Sequence, residues 1–265
     1  IRAASKLIRR KQRQYETQNL QFAEMREDAG LKEYLDRTTF INKDGEVCEF
    51  TDLQKHDLNL VLQKRYALLN WQQGSGKTAA VYHRAKYLLK FRKAKNVIIL
   101  APAIATNMTW IPFLTINKER FRTIQTAGDL NNIPEGTFLV VSTSMLRKLK
   151  RGLMRFVKRT SGKLCLVFDE SDEITNPTSQ RTRNILCIFR RLRYKILDTG
   201  TTTRNNIAEL YSQFELLYNN SVNMICWSPQ VYHENRGHEI EEENNPDYGT
   251  PFPAFRGHVL FRACH

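Results

Sequence analysis

Short apolar runs separated by helical stretches are the feature that most limits how this chain folds. The helical pattern covers residues 52–63, a short apolar run follows it at 66–70, and four later runs, at 96–100, 138–141, 164–168 and 194–197, are apolar and β-branched. Runs that are apolar along their whole length, with helical segments between them, are typical of a parallel sheet buried on both faces. The pattern therefore predicts an α/β fold with a mostly parallel central sheet and helices on both faces.

Composition narrows the class of protein. The chain has 265 residues, of which 41% are hydrophobic and 26% charged, as expected of a globular protein. No apolar run reaches the roughly 18 residues of a membrane helix, and the basic start lacks the apolar stretch of a signal peptide. These features predict no membrane partner and a location in the cytoplasm or the nucleus. Five scattered cysteines without a C-x-x-C pair argue against a disulfide framework or a zinc ribbon.

The net charge indicates a polyanionic partner. The chain carries 41 basic and 27 acidic residues, a formal charge of +14. An excess of this size favours attraction to nucleic acid or to an anionic membrane. Basic side chains that simply face solvent are the alternative.

A glycine-rich loop lies between the first apolar run and the helical stretch after it. Its residues are Gly74, Ser75, Gly76, Lys77 and Thr78. Glycines let a backbone wrap a phosphate, and successive N–H groups at a helix start bind an anion. The pattern G-x-x-x-x-G-K-[ST] assigns the lysine to the β- and γ-phosphates and the threonine hydroxyl to Mg²⁺. The first glycine of that pattern is Trp71 here, and a solvated turn is the alternative interpretation.

Two carboxylates follow the fourth apolar run. Asp169 and Glu170 come directly after residues 164–168. Parallel sheets bind ligands at the carboxyl ends of their strands, so both side chains are expected at the same edge as the glycine loop. Asp169 is the candidate for holding Mg²⁺, and Glu170 is the candidate for orienting or deprotonating the attacking water.

The segment after these carboxylates carries a family resemblance. Residues 169–179, DESDEITNPTS, resemble the D-E-x-H-x-x-K-N-x-x-S segment of Swi/Snf-type translocases in helicase superfamily two. Asp172 stands at the histidine of that pattern and Thr175 at the lysine. Neither change touches the metal or the water carboxylate, but the histidine helps to couple the ATP site to the neighbouring motif.

Four further segments occur in the order that the family requires. Residues 100–102, with Trp110 beyond them, are similar to the first DNA-tracking motif, and residues 141–144 are similar to the T-T-Y-type motif. Residues 197–210 resemble L-T-G-T-P-x-x-N-x-x-x-E-L, which implies that Thr199, Gly200 and Thr201 couple nucleotide to motion. Residues 53–57 resemble the adenine-side motif L-x-x-H-Q, which makes Gln54 and Asp57 the nucleotide-binding candidates there.

The resemblance implies a RecA-like lobe that uses ATP and Mg²⁺. Enzymes of this family have two such lobes, and the second supplies arginine fingers to the transferring phosphoryl group. This sequence contains neither an S-T-x-A-x-x-E nor a Q-x-x-x-R-x-x-R segment. We therefore expect lobe one alone at residues 51–230, a helical extension or linker at 1–50, and an acidic, proline-containing loop tail at 231–265 that leads toward a missing second lobe.

A basic segment follows the second DNA-tracking motif. In the family this motif faces the nucleic-acid backbone, and double-stranded DNA is the expected partner. The DNA-binding candidates are Thr143, Ser144, Arg147, Lys148, Lys150 and Arg151. Leu146, Leu149, Leu153 and Phe156 also mark an apolar stripe, so a solvated amphipathic helix is the alternative. The two are compatible if the stripe faces inward and the basic face outward.

Three functions remain open at this point. The first is the ATP-hydrolysing lobe of a DNA translocase. The second is a module that binds nucleotide and DNA with little turnover, because the second lobe is missing. The third is an unrelated P-loop protein, a kinase or a transporter ATPase, but the LSGGQ loop of the transporters is absent.

Two aromatic residues, Trp71 and Tyr66, flank the glycine loop. Packing in the core is favoured for them over stacking on adenine.

Overall fold

Strands and helices alternate through residues 24–160, 163–200, 210–218 and 259–262, which the computed structural model describes. The strands are β1 (Thr39–Ile41), β2 (Val47–Glu49), β3 (Tyr66–Trp71), β4 (Asn96–Ala101), β5 (Phe121–Thr123), β6 (Phe138–Ser142), β7 (Leu164–Phe168), β8 (Tyr194–Asp198) and β9 (Val259–Arg262). The α-helices are α1 (Ala29–Asp36), α2 (Asp52–Gln63), α3 (Lys77–Lys90), α4 (Ala103–Ala105), α5 (Ile111–Ile116), α6 (Leu146–Arg159), α7 (Gln180–Phe189) and α8 (Tyr211–Tyr218). Short 3₁₀ turns cover Gly128–Leu130, Thr143–Met145 and Ser171–Ile174, and a π-helical turn covers Thr106–Trp110.

The central sheet has seven strands among the described residues, in the order β5-β6-β4-β7-β8-β3-β9. Every pair in it is parallel, which confirms the predicted α/β fold. β8 lies between β7 and β3. The carboxyl ends of the strand before the glycine loop and the strand before the acidic pair are therefore separated by a single strand.

The two faces of the sheet bury two separate apolar clusters. Alternate residues along a strand point to opposite faces, so Leu68 and Ile98 join one cluster while Leu69 and Ile99 join the other. All four side chains are fully buried. Truncating such a core residue to alanine typically costs about 2–5 kcal/mol of folding free energy.

Helix α2 begins at a capping box just before the sheet. The Thr51 hydroxyl accepts a hydrogen bond from the Gln54 amide, while the Gln54 side chain accepts one from the Thr51 amide at 2.9 Å. This reciprocal pair satisfies two of the free N–H groups of the first turn. It also orients the Gln54 side chain at the end of α2 that faces the glycine loop.

Four strands differ from the sequence-based expectations. Within residues 1–50, expected to be helical, β1 and β2 form an antiparallel hairpin. Its turn has Gly45 at φ +83° and two backbone amides donating to the Asn42 side chain, which is ordinary hairpin turn chemistry. β5 was not predicted, because three residues are too few for a periodic signal. In the tail expected to be a loop, Val259–Arg262 pairs in parallel with β3.

The described helices are all too short or too polar to cross a lipid bilayer.

Candidate active site

The glycine loop joins the end of β3 to the start of α3. Gly74 and Gly76 both have φ +79°, a left-handed conformation that other residues rarely adopt. The Ser75 hydroxyl donates to the carbonyl of Gln72 at 2.6 Å and tightens the turn. Helix α3 begins at Lys77, and within the described chain no side chain caps it. Its N-terminal amides are therefore available to an anion such as a phosphate.

Lys77 is held close to its own loop. Its Nζ atom donates to the carbonyls of Trp71 at 2.9 Å and Gln72 at 3.2 Å. A Cβ atom added at Gly200 would lie 3.6 Å from this Nζ atom, so the end of β8 is in contact range of the lysine. The amide of Thr199 donates to the carbonyl of Leu69 at 3.1 Å, which ties the same segment to β3. Thr201 lies outside the described residues.

The two adenine-side candidates occupy different positions. The Gln54 Nε2 atom donates to the carbonyl of Ser75 at 2.9 Å, so Gln54 contacts the glycine loop directly. Asp57 is only 4% exposed and accepts a hydrogen bond from the Trp71 indole at 3.1 Å. Trp71 is fully buried, as its expected core packing requires. Asp57 therefore binds the side chain of Trp71, the last residue of β3, rather than the glycine loop itself.

The acidic pair lies at the carboxyl end of β7. The Asp169 carboxylate is buried, and its Oδ2 atom accepts a hydrogen bond from the Trp110 indole at 2.7 Å. Glu170 adopts a left-handed backbone conformation with φ 53°, which is strained for a residue with a side chain. Burial, followed by the charge of Asp169, raises the pKa of the Glu170 carboxyl, and Lys77 opposes that shift. A carboxyl with a raised pKa is a better proton acceptor for water.

Asp198, the last residue of β8, is a further acid at this edge that the sequence-based analysis missed. Phe168 pairs with Leu197, so Asp169 and Asp198 are the next residues on neighbouring parallel strands. Asp198 is 1% exposed, and neither carboxylate oxygen has a hydrogen-bond donor among the described residues. Burial, and then the charge of Asp169, raises the pKa of Asp198 well above its ordinary value. The sequence signal that could have identified Asp198 is its position directly after the apolar run at 194–197.

The residues at this edge fit a magnesium ion that is shared with a bound nucleotide. Within the described ranges, no group of three or more His, Cys, Asp and Glu side chains forms a metal site by itself. Mg²⁺ in phosphate sites usually takes one or two carboxylates and fills its shell with phosphate oxygens and water. The Thr78 hydroxyl in the first turn of α3 and the Asp169 carboxylate are ligands of that kind.

A hydrogen bond links the acidic segment to helix α8. The Ser171 hydroxyl donates to Gln213 Oε1 at 2.9 Å, and both side chains are fully buried. Asp172, at the position of the histidine in the family pattern, is also buried. Sequence reasoning did not find this link, because the two residues are 42 positions apart.

The DNA-binding candidates follow the carboxyl end of β6, in the 3₁₀ turn Thr143–Met145 and the first turns of α6. Thr143 is buried, whereas Ser144 is exposed and its hydroxyl lies 2.8 Å from that of Ser142. A groove of about 400 Å³ passes these serines and Lys148. On α6 the apolar stripe is buried, as expected for an inward-facing stripe. Of the basic candidates, Arg147, Lys148 and Arg151 are exposed and Lys150 is half-buried.

Comparison with known proteins places this geometry in a family. The family described as type III restriction enzyme, res subunit, matches residues 30–204. The ATP-dependent helicase FUN30 of Saccharomyces cerevisiae is 27% identical over 175 residues, which is 62% of this chain and 15% of that protein. The chain thus spans less than a sixth of that relative's length.

Solved structures show the same fold. The SWI2/SNF2 ATPase core of Sulfolobus solfataricus in complex with double-stranded DNA superposes with a TM-score of 0.63 at 16% identity, over 81% of this chain and 44% of that one. The UvsW helicase of bacteriophage T4 gives a TM-score of 0.50 at 15% identity, over 72% of this chain and 67% of that one. The solved structures thus share the fold of this chain, and the match of the family model over residues 30–204 shows that the chain belongs to the family described as type III restriction enzyme, res subunit.

Proposed function

We propose that this chain is the ATP-binding and ATP-hydrolysing lobe of a DNA-dependent translocase, with Mg²⁺-ATP held between the glycine loop and the acidic pair. The observation that carries the proposal is the convergence of three strand ends. The uncapped start of α3 follows β3, Asp169 and Glu170 follow β7, and Gly200 after β8 approaches the Lys77 ammonium.

Phosphate binding begins from the arrangement around Lys77. Its ammonium donates to two backbone carbonyls, and an arriving phosphate offers a stronger, charge-assisted acceptor. Lys77 then exchanges its carbonyl partners for the β- and γ-phosphates. The left-handed glycines at 74 and 76 keep the loop open enough for its amides to face the same phosphates.

Asp169, Thr78 and Glu170 divide the remaining chemistry. Bound Mg²⁺ supplies charge that stabilises the transferring phosphoryl group. Asp169 is oriented for the ion by the Trp110 indole, and Thr78 offers its hydroxyl from the first turn of α3. Glu170 orients and deprotonates the attacking water, a role that its raised pKa favours.

DNA contact in this proposal uses the groove beside Ser144 and the exposed face of α6. Hydroxyls at Ser142 and Ser144 donate to phosphate oxygens, and Lys148 at the groove wall adds charge. Such contacts bind the backbone without reading the base sequence, and salt weakens them. Thr199 and Gly200 couple this edge to the nucleotide, because they bridge β3 and the Lys77 side chain.

A test measures ATP hydrolysis by this chain with and without double-stranded DNA. Lys77→Ala and Glu170→Gln are compared with Lys43→Ala, which changes an exposed lysine in the β1–β2 turn. The proposal expects DNA-stimulated turnover that both site variants lose and Lys43→Ala keeps. Binding of a fluorescent ATP analogue is measured in parallel. If the unchanged chain binds no nucleotide, the assignment of the glycine loop as the phosphate-binding loop is wrong.

A second candidate function is nucleotide and DNA binding with little turnover. Lys77 rests on backbone carbonyls, and the chain covers 44% of the Sulfolobus ATPase core. In this candidate a second RecA-like lobe is a required partner, because it supplies the arginine fingers. Nucleotide binding that depends on Lys77 but is followed by no hydrolysis would select it.

A further inference from the structure

Asp198 stands where the family pattern has an apolar residue. The pattern L-T-G-T-P places leucine directly before the threonine that corresponds to Thr199, and this chain has Asp198 there. The register of β7 and β8 sets Asp198 beside Asp169, on the same face of the sheet. A second carboxylate therefore lies next to the proposed magnesium ligand.

This carboxylate is buried and has neither an ion pair nor a hydrogen bond within the described part of the chain. It is 1% exposed, and neither oxygen has a donor among the described residues. No ion pair of Asp198 occurs among the described residues, although the charge of Lys77, whose ammonium donates to the Trp71 and Gln72 carbonyls, acts on this carboxyl.

Burial of this kind is costly and calls for a counter-charge. A buried polar group left unsatisfied destabilises the fold, and a charged group does so more strongly. Two adjacent carboxylates also repel one another. A divalent cation at the phosphate site offsets both costs, and Mg²⁺ commonly takes one or two carboxylates together with phosphate oxygens.

We propose that Asp198 is a second carboxylate of the divalent-cation site, acting beside Asp169 to hold the ion that accompanies the nucleotide. The inference rests on the proposed function, because it takes Mg²⁺-nucleotide as the ligand of this edge. It adds a residue that the family pattern does not contain. Lys77 offers the alternative counter-charge, and the experiment separates the two.

The experiment measures affinity for a fluorescent ATP analogue in EDTA and again in saturating Mg²⁺, and direct Mn²⁺ binding by electron paramagnetic resonance. Asp198→Asn removes the charge at nearly constant shape, and Asp198→Leu restores the pattern residue. Glu215→Gln is the matched control, because Glu215 is a buried carboxylate on α8 whose ion pair is with Arg190. Thermal unfolding accompanies each variant.

The two Asp198 variants are expected to lose roughly tenfold or more of the Mg²⁺-dependent gain in nucleotide affinity and of the Mn²⁺ affinity, as for other residues that support a metal site. Affinity in EDTA stays equal or rises, because a charge that repels phosphate is gone. Removing an unpaired buried acid does not lower the melting temperature. Glu215→Gln keeps the Mg²⁺-dependent gain.

Two results overturn the inference. An unchanged Mg²⁺-dependent gain in both Asp198 variants removes Asp198 from the cation site. If the nucleotide affinity weakens equally in EDTA and in Mg²⁺, Asp198 pairs with Lys77 or supports the fold and is not part of the cation site. Failure of the proposed function looks different: the unchanged chain binds no nucleotide, or Lys77→Ala binds as well as the unchanged chain does.

Discussion

Gln54 donates a hydrogen bond from Nε2 to the backbone carbonyl of Ser75 at 2.9 Å, across 21 positions of sequence. The same side chain accepts from the amide of Thr51, in the capping box at the start of α2. One glutamine therefore sets the start of a helix and holds the apex of the glycine loop. A Cβ at Gly76 would lie 3.2 Å from the same Nε2 atom, so the side chain packs closely against the loop.

Replacement of Gln54 by alanine is expected to weaken nucleotide binding. The lost hydrogen bond is worth about 0.5–1.5 kcal/mol, which corresponds to an increase in Kd of roughly two- to thirteenfold. Thr51→Ala is the matched control, since it removes the cap at about 1 kcal/mol of stability but keeps the contact to Ser75. Titration of a fluorescent ATP analogue measures both variants. Equal effects would trace the change to helix α2 rather than to the loop.

Removal of Lys148 is expected to reduce the salt dependence of DNA binding. Each phosphate contact contributes about 0.9 to the slope of log affinity against log salt, so Lys148→Ala lowers the slope by roughly that amount. Lys158→Ala changes an exposed lysine further along α6, outside the groove that Lys148 lines. Fluorescence anisotropy with duplex DNA across a salt series gives both slopes. An unchanged slope for Lys148→Ala would remove the groove from the DNA-binding surface.

Stability is expected to rise with pH above neutrality because of Lys195. Burial lowers the pKa of this amine from 10.5 to about 7. Between these values the unfolded chain binds more protons than the folded chain, so the free energy of unfolding increases as pH rises, by up to about 1.4 kcal/mol per pH unit. The Nζ atom donates to the carbonyls of Arg190 and Leu216, and a neutral amine also satisfies both.

The measurement compares urea unfolding of the unchanged chain with that of Lys195→Met between pH 7 and 10. The unchanged chain is expected to gain stability relative to the variant across this window. Lys158→Met controls for the loss of an exposed positive charge. A constant difference between the unchanged chain and Lys195→Met would contradict the expectation.

Acid is expected to destabilise the fold through His83. Its ring lies 5.1 Å from Phe50 and 4.8 Å from Tyr82 between centroids, and neither nitrogen has a hydrogen-bond partner among the described residues. Burial, aided by the charge of Lys86, lowers the pKa of His83 from 6.5 to about 3. Between these values the unfolded chain binds more protons, so stability falls as pH falls through this window.

His83→Leu removes this titration and keeps an apolar side chain in contact with Phe50 and Tyr82. The unchanged chain should lose up to about 1.4 kcal/mol per pH unit relative to the variant as pH falls from 6.5. His56→Leu, at a more exposed histidine paired with Glu27, is the comparison. Thermal unfolding at several pH values tests the prediction, and identical pH profiles for the unchanged chain and His83→Leu would refute it.

Much of the sheet and the turn at the glycine loop were predictable because the signals are local. The runs at 164–168 and 194–197 predict strands from their apolar, β-branched composition, and the structure has β7 and β8 there. Glycines at 74 and 76 mark a left-handed turn because the missing Cβ atom permits it. These properties depend on neighbours within a few residues.

Strand order and side-chain partners were not predictable in the same way. The sequence contains Asp57, Trp71, Asp169 and Asp198 without saying which of them meet. The sheet order places β8 between β7 and β3, and this sets Asp198 beside Asp169 and Gly200 beside Lys77. The tertiary structure also brings Asp57 into hydrogen-bond contact with the buried Trp71 indole. This adenine-side candidate therefore contacts the end of β3.

The sequence by itself determined the fold class, the position of the glycine loop and the chemical types of its residues, because each depends on local periodicity and on turn chemistry. Only the tertiary structure decided which charges are buried together and which lack a partner. Burial and charge pairing depend on residues far apart in the chain, and in a parallel sheet these are brought together by strand order rather than by sequence order.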